Sequence, residues 1–188
     1  MRLVLASSSP RRADLLRAAD IAFEAVPPAI DERTRPDELP EHYVLRLASE
    51  KSAAAQLSVA GNDVLVLGAD TAVVVGTEIL GKPDDDADVA RMLRQLSGRA
   101  HEVMTGVSLR RANREIREVV KTTVWFMPLT PQEIEWYVAS GEGRDKAGAY
   151  AIQGRAARFI PRIDGSYSNV VGLPIARVQA MISTLSVS

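Results

Sequence analysis

Residues 64–75 read VLVLGADTAVVV. No other stretch limits the fold as strongly. Aliphatic and β-branched runs flank Gly68-Ala69-Asp70-Thr71, and such runs predict strands inside a sheet. The polar centre predicts two strands interrupted at a site on that sheet. A carboxylate between apolar runs is costly to bury unless a cation or hydrogen-bond donors meet it. Asp70 is therefore a ligand for a divalent metal, a base, an acceptor of backbone donors, or a turn residue at a strand end. The stretch alone leaves these readings open.

The surrounding sequence alternates between strand and helix patterns. RLVLA at 2–6 predicts a buried first strand. Ser9 and Pro10 then suit the N-cap and first position of a helix carrying Leu15, Leu16 and Ala19 at helical spacing. A short strand is expected at 23–26, a loop over AIDERTRPDELP, and a helix over 40–57 with Val44, Leu45, Leu47 and Ala48 inward. Gly61-Asn62-Asp63 predicts a turn, and residues 76–78 a hairpin turn. DDDADVARMLRQLSG predicts a helix with an acidic first turn and Gly98 after its end. HEVMTGVSL and REVVKTTVWFMPL predict strands around a polar turn at 111–114. Thr130, Pro131 and Glu133 predict a capped helix stopped by Gly141. Loop and strand are expected over residues 144–174, and a last helix over 174–185. Alternation with a hairpin predicts one α/β domain, a mixed twisted sheet with flanking helices.

Composition removes several function classes. The formal net charge is −1, so no global field draws the chain to nucleic acid or membrane. Two Trp, four Tyr and three Phe offer little for stacking single strands. The chain has no cysteine, hence no disulfide, thiolate metal site or cysteine nucleophile. The apolar run before Ser7 is too short for a signal peptide or a span, which predicts a cytoplasmic protein. Neither GxxxxGK[ST] nor GxGxxG occurs. His101, at the start of a strand, reads as structural. Asp84, Asp85 and Asp86 read as the acids of a helix start rather than a metal site.

SSSPRR at 7–12 is harder to place. Arg11 and Arg12 fall in a first helical turn, where the dipole disfavours cations unless an anion offsets them. Free N–H groups there suit phosphate. The residues balance a solvated helix start against an anion site. Lys82 is a compact cation that suits a phosphate. Lys51, read as late in its helix, and Glu32, in a loop, carry weak signals by themselves.

LASSSPRRADLL, IDE, GADTAVVV, GKP, SGRAHEVMTG, DKAGAYAIQG and GSYSNVVGLP, in that order and across almost the whole chain, resemble the Maf family. The resemblance implies an elongated, two-lobed, inosine-triphosphatase-like fold over residues 1–188 with a central cleft. It also implies a nucleoside triphosphate pyrophosphatase that cleaves between the α- and β-phosphates with Mg²⁺ or Mn²⁺, commonly as a homodimer. Ser8, Arg11, Arg12, Lys51 and Lys82 match substrate-binding positions. Asp70 matches the proton acceptor and Glu32 its acidic companion, the two being the candidate metal ligands. Arg11, Thr71 and Gln153 match positions tied to base choice. DKAGAYAIQG resembles the dTTP/UTP branch, whereas the 7-methyl-GTP branch carries Glu in place of this Gln. A neutral amide donates and accepts, which suits uracil and thymine, while a carboxylate only accepts. The alternatives are 7-methyl-GTP hydrolysis and a nucleotide-binding regulator of septum formation.

Overall fold

A computed structural model describes residues 2–61 and 63–186. Its strands are β1 (Arg2–Ala6), β2 (Glu24–Ala25), β3 (Val64–Val75), β4 (Glu78–Leu80), β5 (Ala100–Arg111), β6 (Arg114–Trp125) and β7 (Arg162–Asp164). They form one sheet in the order β2-β1-β3-β5-β6-β7, with β4 against β3. β1 is parallel to β2 and β3, while β4 and β7 are antiparallel to their neighbours. The helices are α1 (Pro10–Ala18), α2 (Pro40–Leu57), α3 (Asp86–Leu96), α4 (Pro131–Ala139), α5 (Tyr167–Val171) and α6 (Ile175–Ser186). This is the expected α/β class with a mixed sheet. Among the described residues no helix is long and apolar enough to cross a membrane. Asn62 lies outside the described residues, and with it the turn expected at 61–63.

The chain divides into two compact units. The first holds Met1–Thr71, Thr105–Val120 and Gly172–Ser188. Its strands are covered on both faces, and the two-residue period of a strand sorts their side chains. Leu3, Leu5, Leu65, Leu67 and Ala69 join Leu16 of α1 and Val178, Met181 and Leu185 of α6 in one cluster. Val4, Ala6, Val64 and Val66 join Ala55 of α2 in another. The second unit holds Ala72–Met104 and Lys121–Val171. Its core sets Val89, Met92, Leu93 and Leu96 of α3 and Ile134 and Tyr137 of α4 with Phe126, Tyr150 and Phe159. Burying a large apolar side chain contributes roughly 1.5–3 kcal/mol, so these clusters supply the main drive to fold. His101 lies in this second core, its Nε2 2.8 Å from the Tyr150 hydroxyl, and burial pushes its pKa down to about 4. That is the structural role expected of it.

Local chemistry sets the helix ends. Thr130 and Glu133 form the expected capping box at α4. Asp85 caps α3 by accepting from the Asp88 amide at 2.8 Å. Elsewhere the structure departs from expectation. Residues 64–75 form one unbroken strand, not two. Ser9 occupies the N-cap of α1 without a side-chain cap bond, and its own amide instead donates to Ser7 Oγ. Leu45 is only half-buried. The segment expected as loop and strand contains α5 and 3-10 turns at Ala147–Ala149 and Arg155–Phe159, because its glycines permit tight turns as well as extended chain.

Gly68 explains why the polar centre does not break β3. A Cβ there would lie 2.1 Å from the Ala48 carbonyl oxygen and 2.7 Å from the Ser52 amide. A Cβ at Gly106 of β5 would lie 2.2 Å from the Val44 carbonyl oxygen. Both glycines let the α2 backbone lie directly on the sheet. Gly106→Ala should therefore lower the unfolding free energy by about 3 kcal/mol, the upper end for overpacking, since backbone rather than a movable side chain must yield. Gly81→Ala, where a Cβ meets nothing within 4 Å, is the control. Equal urea midpoints for the two variants would contradict this account.

Candidate functional site

The close seating of α2 brings Lys51 to β3. Residues 64, 66, 68 and 70 share the strand face toward α2. Lys51 Nζ lies 2.7 Å from Asp70 Oδ1 and 2.7 Å from Glu32 Oε1. The Lys51 and Asp70 side chains are only 9% and 11% exposed, so each charge needs the other. Glu32 is 53% exposed and completes the group from the solvent side. Lys51 thus stands inside α2 rather than in its last turn, which has no basic residue. It pairs with carboxylates instead of offsetting the dipole.

The loop bearing Glu32 is strapped to α2. Arg46 donates to both oxygens of Glu38, at 2.6 and 2.7 Å, and to the Arg33 carbonyl at 3.1 Å. The Tyr43 hydroxyl donates to the Glu32 carbonyl at 3.1 Å. The Arg46 hydrogen bonds hold the Glu38 carboxyl down at about 2, so the strap stays ionised through ordinary pH. Burial and the negative charges of Asp70 and Glu32 push the Tyr43 hydroxyl up to about 12.

Thr71 is next to Asp70 but points to the opposite face, as the strand period requires. There its hydroxyl meets Arg12 Nη2 at 3.2 Å and the Thr105 hydroxyl at 2.9 Å. Arg12 also donates to the Gly172 carbonyl at 2.8 Å and to Ser7 Oγ at 3.1 Å. The guanidinium is buried; desolvation lowers its pKa, and the attraction of Asp70 opposes that shift. Arg11, half-buried, and Ser8, exposed, lie on the same turn between β1 and α1. That turn follows the carboxyl end of a parallel strand, where α/β sheets gather their ligand sites.

The structure therefore brings together Arg12, Glu32, Lys51, Asp70 and Thr71 in the first unit. Lys82 and Gln153 belong to the second unit, and both are exposed. Sequence reasoning missed Ser7, Thr105 and Gly172, which anchor Arg12, and Tyr43, Glu38 and Arg46, which hold the Glu32 loop. Only Arg46 left a readable trace, its four-residue spacing to Glu50 on α2, a pair 3.3 Å apart.

The first unit thus joins buried cations to carboxylates and hydroxyls on a mixed α/β sheet. The fold matches the Ham1 protein of Staphylococcus aureus at TM-score 0.52 and 16% identity, over 98% of this chain and 99% of that one. The chain belongs to the Maf family: the family model for Maf-like proteins matches residues 2–185. It is 52% identical to the dTTP/UTP pyrophosphatase of Shewanella oneidensis, covering 97% of each chain. It is 53% identical to the dTTP/UTP pyrophosphatase of Anaeromyxobacter dehalogenans, over 96% of this chain and 92% of that one. The protein of that name from Vibrio parahaemolyticus is 50% identical, over 97% and 96%.

Removing the ammonium while keeping the carboxylate tests the pairing. Lys51→Met should destabilise the fold by about 3 kcal/mol, because Asp70 is left charged and enclosed. Asp70→Asn in the same chain should recover part of that loss. Chemical denaturation of the single and double variants checks both statements, and full stability in Lys51→Met contradicts them.

Proposed function

We propose that this chain hydrolyses dTTP and UTP to the monophosphate and pyrophosphate. Near-full-length identity of about half to proteins bearing that name carries the reading. The side chains supply the chemistry such a reaction requires. A triphosphate brings about four negative charges, and they must be offset before water can approach phosphorus. Arg11, Arg12, Lys51 and Lys82 are the cations assigned to it. Asp70 orients the attacking water and takes up its proton. Oxygen then bonds to phosphorus, the α–β bridging bond breaks, and pyrophosphate leaves.

Asp70 and Glu32 also fit a divalent cation. Glu32 Oε1 and Asp70 Oδ1 each lie 2.7 Å from the Lys51 ammonium, so two carboxylates, both hard oxygen donors, stand close together. Mg²⁺ commonly takes one or two carboxylates together with substrate phosphates. Such a cation would offset phosphate charge. Homodimerisation and a cytoplasmic location belong to the same proposal.

Gln153 is assigned the base. Its amide offers a donor and an acceptor to the adjacent carbonyl and N–H of uracil or thymine. With Mg²⁺ or Mn²⁺ and a nucleotide panel, purified protein should release pyrophosphate from dTTP and UTP. Asp70→Asn should lower kcat by about 10²–10⁴-fold without unfolding the protein. Full turnover in that variant would remove Asp70 from the mechanism. Gln153→Glu should weaken dTTP and UTP relative to 7-methyl-GTP, and an unchanged preference would refute the base assignment.

A further inference from the structure

Gln153 is exposed, and among the described residues its side chain makes no hydrogen bond, yet the chain on either side of it is held firmly. Tyr150, Ala151 and Ile152 before it are buried. The Ala151 amide donates to the Tyr137 hydroxyl at 3.3 Å. That hydroxyl donates onward to Glu142 Oε1 at 2.9 Å. The same carboxylate accepts the Arg155 amide, at 2.9 Å to Oε1 and 3.0 Å to Oε2. Gly154 lies so close that a Cβ there would be 2.5 Å from the Glu142 carboxylate. Tyr137, on α4, is fully buried, and burial raises its hydroxyl pKa, so it keeps the proton it donates.

One tyrosine–glutamate relay therefore fixes the backbone two residues before and two residues after a single free amide. A group held this way loses little freedom when it binds, and a misplacement of about 1 Å can cost a hundredfold. Glu142 lies beyond the carboxyl end of α4, which closes at Ala139, and a carboxylate there can neither cap the helix carbonyls nor favour the dipole, so its partners are the Tyr137 hydroxyl and the Arg155 amide.

We propose that Glu142 and Tyr137 are positioning residues for nucleotide selection, acting through the backbone of residues 151–155 to aim Gln153. The inference rests on the reading that Gln153 meets the base. Glu142→Gln replaces an acceptor facing the Arg155 amide by a group that also donates, and Tyr137→Phe removes the acceptor for the Ala151 amide. Both are close in shape to the native residue.

The experiment measures kcat and KM for dTTP, UTP, ATP and GTP with Mg²⁺. It compares the unmodified protein, Glu142→Gln, Tyr137→Phe, Gln153→Ala and the Glu142→Gln/Gln153→Ala double variant. Hydrogen exchange is followed at the Ala151 and Arg155 amides. Each relay variant should lower the pyrimidine-over-purine ratio of kcat/KM about tenfold, mainly through KM for dTTP and UTP. Exchange at its amide should accelerate while α4 stays protected. In the Gln153→Ala background, Glu142→Gln should change the ratio no further, since the effect passes through Gln153. An unchanged ratio despite faster exchange overturns the inference, as does unchanged exchange or an equal fall for all four nucleotides. An unmodified protein without pyrimidine preference overturns the functional reading and the inference with it. That result comes from the unmodified protein alone, so the two failures are told apart.

Discussion

The seating of α2 on the sheet at Gly68 and Gly106 is the contact on which the first unit depends. A helix normally rests on a sheet through its side chains; here carbonyl oxygens of Val44 and Ala48 touch the strand glycines. With no side chains between them, polar groups of α2 reach the strands beyond. Ser52 meets Ser108 at 2.7 Å, Ser49 meets Glu115 at 2.6 Å, and Arg110 binds Ser52 and Ser49. Lys51 reaches Asp70 by the same closeness. The ion pair therefore rests on two missing methyl groups.

The placement of Asp70 and Thr71 on opposite faces divides the work of neighbouring residues. Asp70 is tied to α2 and, through Lys51, to the loop of Glu32. Thr71 is tied to α1 and to Gly172 at the entry of α6. Arg12 is fixed on Thr71's side, yet it still feels the field of Asp70 and Glu32. Charge from both faces thus acts near the carboxyl end of β1 without two cations sharing one anchor.

Much of the fold was legible in the sequence because local rules decide it. Pro40 and the apolar spacing set α2, Asp85 and Asp88 set the start of α3, and Thr130 with Glu133 set α4. Asp70 stood out because a carboxylate in an apolar run demands a partner. The partner itself was hidden. Lys51 looked like a lysine near a helix end, and only the glycines of two other strands show why it turns inward. Along the chain Gly68 looks like a break in a strand, whereas its cause lies sideways, in the helix above. Arg12 pointed to an anion by its place in a first helical turn. Of its anchors, Ser7 lies in the same stretch, but Thr71 and Gly172 come from distant parts of the chain, and no local pattern joins them. Residues 144–174 were the least legible, since their turns are fixed by distant partners, Gly81 for Gly148, Tyr137 and Glu142 for residues 151–155, and Thr122 for Asn169.

The order in which residues contribute to the two cores has a consequence for synthesis. The second unit is complete in the chain at Val171, whereas the first still lacks α6. Leu173, Val178, Met181 and Leu185 pack with Leu3 and Leu5, so β1 waits for α6, about 170 residues later. On a ribosome, the unit that begins the chain is the later one to close. Until α6 has been made, Leu3, Leu5, Leu65 and Leu67 lack part of their apolar cover, an interval in which a growing chain is open to aggregation and to chaperones.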